Sequence, residues 1–159
     1  MAQYGSNIGA AAILFTCSAF GRAIDAAKTA LPIPVLKPNE AMFEDALSAG
    51  DRLGLLATFG PSVPSMETEF NDLVHRRSST ARIESLLVES AMAALLKNDS
   101  GTHNRLLAEA APRLSGCDAI MLAHFSTSRA LAEVQQAVGC RVLTSPHSAV
   151  ARLKTILET

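Results

Sequence analysis

Two residues of this 159-residue chain stand where side chains commonly do chemistry. Cys17 follows the apolar run Ala12–Phe15 and comes shortly before a helical stretch that opens near Arg22. His124 follows the apolar run Ala119–Ala123 and comes just before a second helical stretch. A residue placed ahead of a helix faces unpaired backbone N–H groups and the positive end of the helix dipole. For Cys17 this favours the thiolate. The same donors, from Ser18 and Ala19 onward, suit a carboxylate or an enediolate formed from one. An imidazole such as His124 gives or takes a proton near neutral pH. Two such groups on opposite faces of a carbon α to a carboxylate are what cofactor-free racemisation requires. The plainer alternatives are a small buried thiol at position 17 and a hydrogen-bonded structural histidine at 124.

The remaining candidates read as structural. Cys117 and Cys140 sit in or beside apolar runs and behave as small hydrophobes, and the odd count of three cysteines fits reduced thiols in a cytoplasm better than a disulfide framework. His75 belongs to a solvated His75-Arg76-Arg77 loop, His103 to a helix start, and His147 to the cap of the last helix. Arg22 misses the spacing of a Cys-x5-Arg phosphate loop by one residue. Zinc-ligand spacings, a GxGxxG or Walker loop and a G-x-S-x-G elbow are all missing, so neither metal nor nucleotide cofactor is expected.

The elements that position the two residues follow from apolar patterning. Ala12–Phe15, Val35–Leu36, Leu53–Ala57, Ala119–Ala123 and Val142–Leu143 are short, mostly continuous apolar runs, as strands covered on both faces require. Ile83–Val88 is a further strand candidate. Helices are expected at Arg22–Leu31, Glu40–Ser48, Val63–Val74, Ser90–Leu96, Thr102–Leu114, Ser126–Val138 and His147–Leu157, several of them bounded by Pro, Gly or Asn. Pro38-Asn39 reads as a helix cap. The alternation predicts an α/β fold with a mainly parallel sheet.

A repeat runs through this pattern. Ile13 aligns with Ile120 at an offset of 107 residues (120 − 13 = 107). Without a gap, Arg22 then falls on Arg129, Ala23 on Ala130, Ala30 on Ala137, and Val35-Leu36 on Val142-Leu143. Cys17 and His124 share that offset, so two related units would present two proton-transfer groups at the strand ends where open parallel sheets bind ligands.

Composition narrows the partners. Hydrophobic residues are 48% and charged residues 18%, enough apolar surface to fold as a globular chain rather than remain disordered. The near balance of 14 Lys+Arg against 15 Asp+Glu leaves no electrostatic footprint for nucleic acid or an anionic membrane. Aromatics at 4%, with no Trp, leave little for base stacking. The 13-residue apolar stretch Ile8–Phe20 is too short to span a bilayer, and no basic residue precedes it as in a secretory signal.

Through Thr16-Cys17-Ser18-Ala19-Phe20, Leu55-Leu56-Ala57-Thr58 and Asp118-Ala119-Ile120-Met121-Leu122-Ala123, the chain resembles the aspartate/glutamate racemase superfamily. That group includes hydantoin racemases, maleate isomerases and arylmalonate decarboxylases, and the resemblance runs from about Gly9 to Leu157. It implies two pseudo-symmetric α/β lobes with parallel sheets flanked by helices and the active site between them. The first catalytic Cys falls on Cys17. The strand-end Thr that binds a substrate carboxylate falls on Thr58, with Ser62 as a weaker partner. Ser126 and Thr127 supply the contacts of the second lobe. The second catalytic Cys falls on His124, where this chain departs from the family pattern.

The resemblance also implies that the first lobe lacks an N-terminal strand–helix–strand unit, roughly 30 residues or more. Residues 1–50 are then a partial first lobe with helix 147–159 packed on it, and 51–146 the second lobe. An open sheet edge leads to the expectation of a homo-oligomer. The expected activity is a cofactor-independent racemase or isomerase using Cys17 and His124 on a small carboxylate-bearing substrate. The alternatives are an arylmalonate-type decarboxylase using Cys17 alone, and a truncated relative without turnover.

Overall fold

A computed structural model describes residues 1–17 and 21–158. A short helix α1 (Ala2–Asn7) leads into β1 (Ile13–Leu14), α2 (Gly21–Ala30), β2 (Val35–Leu36) and α3 (Glu40–Leu47). There follow β3 (Arg52–Ala57), α4 (Val63–Arg76), β4 (Arg82–Leu87), α5 (Glu89–Leu96) and α6 (Ser100–Ala110). The chain ends with β5 (Ala119–Leu122), α7 (Leu131–Ala137), β6 (Arg141–Thr144) and α8 (Ser145–Leu157). Single 3₁₀ turns occupy Gly60–Ser62, Ala111–Leu114 and Ser126–Ala130.

All strand pairing among the described residues is parallel. One sheet has the order β4-β3-β5-β6, and the other is the pair β1-β2. The expected α/β architecture with helix-flanked parallel sheets is the one observed. In the four-stranded sheet the period of two divides the apolar residues between two cores. Leu53, Leu55, Ala57, Ala119, Met121 and Ala123 face α3 and α4, where Phe43 and Phe70 meet edge to face at 5.5 Å. Leu56, Ile120, Leu122 and Val142 face the opposite layer, against Ala91, Leu107, Leu114 and Val134. Both faces of β3 and β5 are covered, which explains their unbroken apolar runs. β4 lies at the edge, and there Arg82, Glu84 and Leu87 are exposed.

The repeat is written in the hydrogen-bond register. Ile13 pairs with Val35 and Leu14 with Leu36; Ile120 pairs with Val142 and Met121 with Leu143. Each residue of the second set lies 107 positions after its counterpart in the first (120 − 13 and 142 − 35). The helices that follow the two second strands, α3 and α8, pack on each other.

One element differs from its expected form. Ser126–Val138 reads as a single helix in sequence, yet it begins as the 3₁₀ turn Ser126–Ala130 and becomes α-helical only from Leu131. Side-chain hydroxyls cause this by competing for backbone groups. Thr127 donates to the carbonyls of Ala123 and His124, the latter at 2.8 Å, and Ser128 donates to that of Phe125 at 2.7 Å. Among the described residues no helix is long and apolar enough to cross a membrane.

Candidate active site

The carboxyl ends of β1, β2, β3 and β5 converge on a cavity of about 510 Å³. Thr16 and Cys17 reach it after β1, Pro38 and Asn39 after β2, and Phe59, Pro61 and Ser62 after β3. His124, Phe125 and Ser126 reach it after β5, with Met92 of α5 and Ser65 of α4 completing the wall. In open parallel sheets this is the ligand-binding edge. Cys17 and His124 therefore line one cavity, each at the end of the corresponding strand of its repeat. No Asp, Glu, Lys or Arg is among the described residues of the lining.

His124 is the most constrained of them. Its φ of +74° lies in the left-handed region, uncommon for a side chain bearing a Cβ, and reverses the chain directly after β5. Thr127 holds this turn from beneath through the His124 carbonyl. The ring Nε2 lies 2.6 Å from Ser62 Oγ. Ser62 in turn donates to the Phe59 carbonyl at 2.8 Å. A hydroxyl has one proton, so both contacts are met together when Nε2 carries the hydrogen and donates to Ser62. Nδ1 then holds the lone pair; it is buried and has no partner among the described residues. Burial pushes the imidazole below its usual value of 6.5, with the Ala123 backbone pulling weakly the other way. The ring is thus biased toward the neutral form.

The other residues singled out in the sequence divide into wall, interior and undescribed. Cys17 is a free, exposed thiol, and Ser62 and Ser126 stand on the wall with it. Thr58, directly after β3, is buried, and its hydroxyl has no hydrogen-bond partner among the described residues. Thr127 is fully buried, with its hydroxyl given to two backbone carbonyls and the residue itself outside the lining. Ser18 and Ala19, whose N–H groups are the expected anion donors, lie outside the described residues.

The sequence reading missed what Asn39 does. Asn39 does occupy the N-cap position of α3, but its side chain makes no capping bond. Its amide reaches across to Ser145 and Glu69 instead. The 107-residue repeat held a signal for this, since Pro38 is the counterpart of Ser145 and both lie at strand ends. The aromatic and thioether wall of Phe59, Met92 and Phe125 was also missed, because three distant segments supply it. Among the described residues no group of three or more His, Cys, Asp or Glu side chains is arranged to hold a metal ion.

Set against known families, residues 1–153 match the Asp/Glu/Hydantoin racemase model. The chain belongs to this family. Among solved structures, a glutamate racemase isoform from Bacillus anthracis superposes on 98% of the chain with a TM-score of 0.76 at 16% identity. An allantoin racemase from Klebsiella pneumoniae superposes on 99% with a TM-score of 0.75 at 17% identity. A glutamate racemase from Campylobacter jejuni superposes on 97% with a TM-score of 0.71 at 15% identity. These likenesses establish a shared fold. The chain spans 61%, 63% and 64% of the length of those three racemases. No curated protein sequence matches it.

Proposed function

We propose that the cavity supports cofactor-independent proton transfer at a carbon α to a carboxylate or comparable carbonyl, of the racemase type, with Cys17 and His124 working on opposite faces of that carbon. The observation that carries this reading is the shared cavity, lined by both residues from corresponding strand ends. Membership of the racemase family supports it independently.

In one direction neutral His124 accepts the α-proton, and the electron pair moves onto the adjacent carbonyl group to form an enediolate. Cys17 then delivers its thiol proton to the other face, leaving thiolate opposite imidazolium. In the reverse direction that ion pair is the starting state. Ser62 serves both directions. With its hydroxyl turned to Phe59 it accepts from Nε2–H whether the ring is neutral or imidazolium. Glutamate and allantoin, on which the structural neighbours act, bracket the substrate class to test.

Deuterium uptake at the α-carbon in D2O, followed by NMR, tests the reading. Exchange is expected with the parent protein and at least about a hundredfold less with Cys17→Ala or His124→Gln, on the scale of general acid–base catalysis. Undiminished exchange in Cys17→Ala removes Cys17 from the mechanism. The apolar wall of Phe59, Met92 and Phe125 favours one second reading. A malonate-type decarboxylase needs such a wall for the departing carboxylate and only one proton donor. That reading predicts carbon dioxide release from a substituted malonate that survives His124→Gln.

A further inference from the structure

Asn39 is 2% exposed and yet forms part of the cavity wall. An Asn at an N-cap ordinarily turns its side chain onto the first N–H groups of its own helix. Here the amide is drawn away from α3 and held from two sides by other elements. Ser145, which opens α8, donates its hydroxyl to Oδ1 at 3.0 Å. Glu69, on α4, accepts from Nδ2 at 3.4 Å.

A carboxamide carries two N–H donors. Glu69 takes one, and the other has no partner among the described residues. Swapping the amide oxygen and nitrogen would set Oδ1 against the Glu69 oxygen, so the Glu69 anchor selects the direction in which the N–H groups point, while the Ser145 hydroxyl, which also reaches Met42 Sδ at 3.6 Å, can meet either end. Burial pushes the Glu69 carboxyl above the ordinary carboxylate range, with Asp25 and Glu40 adding to the rise and Lys37 and Asn39 opposing it.

We propose that Asn39 is a substrate-contacting residue, donating its second Nδ2–H to an acceptor oxygen of the bound molecule, and that Ser145 and Glu69 are positioning residues that aim this donor. With no cation among the described lining residues, an oriented neutral amide is the donor suited to such an oxygen. The inference rests on the proton-transfer reading for the choice of ligand, while its geometry stands apart from turnover.

The test uses ¹⁵N-labelled protein carrying Cys17→Ser, so that binding is read without catalysis. L-glutamate, allantoin and malonate are titrated in turn while the Asn39 side-chain resonances are followed. One of the two Nδ2 protons should move on addition of at least one ligand, while the Glu69-bound proton moves less. Asn39→Ala should weaken that binding about tenfold, the scale of one hydrogen bond. Glu69→Gln, which keeps the shape of the anchor, should change the Asn39 resonances in the free protein and weaken binding severalfold even if Asn39→Ala fails to fold. No movement of the Asn39 protons with any of the three ligands overturns the proposal. Movement without α-proton exchange in the parent protein leaves it standing and removes the racemase reading instead.

Discussion

His124 combines a left-handed backbone, a 2.6 Å contact to Ser62 and a buried Nδ1. Its depressed pKa has a consequence for folding. The unfolded ring takes up a proton near its ordinary value of 6.5, and the folded ring only at lower pH. Between those values the unfolded state binds more protons, so stability rises with pH through the window and is lost as pH falls below about 6.5. Urea midpoints at about pH 5 and about pH 8 should differ less in His124→Gln than in the parent, and an equal difference would exclude this ring as the source. Cys17 and His124 were legible as a pair because a strand end ahead of a helix is a local property. The contact between Ser62 and His124 was not, since 62 residues separate them. The partners of the Asn39 side chain were not legible for the same reason, although Asn39 does stand at the N-cap. Pro-Asn-Glu carries a capping signature, while the partner that captures the amide lies 106 residues away.

At the scale of elements, the turn after β5 shows how a fold supports its site. Thr127 gives one buried hydroxyl to two carbonyls, those of Ala123 and His124. Thr127→Val keeps the shape but leaves both carbonyls short of a donor. It should cost about 1–3 kcal/mol in chemical denaturation and lower α-proton exchange by loosening His124. Normal stability with normal exchange would show that the turn holds itself. Hydropathy placed this segment in a helix but could not distinguish a 3₁₀ opening from an α-helical one, because the hydroxyl contacts that decide it come from the chain reversal at His124. The break between α5 and α6 was easier to read. Asn98 adopts φ +60°, and Asp99 accepts from the Thr102 backbone N–H at 2.9 Å, both common habits of these residue types.

Across the whole molecule, the 107-residue offset survives as a shared register between β1-β2 and β5-β6. It was legible because the two copies keep their strands and turns without a gap. The order β4-β3-β5-β6 was not, since apolar runs reveal that strands are buried without saying which lie side by side. The repeat presents corresponding positions to the cavity but fills them with unlike groups, a thiol and an imidazole. Mirror-image substrates have equal free energies in water, so the equilibrium constant between them is one. The Haldane relation then requires the same kcat/KM in both directions, whatever the two groups are. Their difference must surface elsewhere. The primary deuterium isotope effect should be unequal when measured from each enantiomer in turn, and equal values would speak against a thiol and an imidazole sharing the work. A near-symmetric scaffold holding a mismatched pair would thus be even-handed in overall flux while crossing a differently shaped barrier from each side.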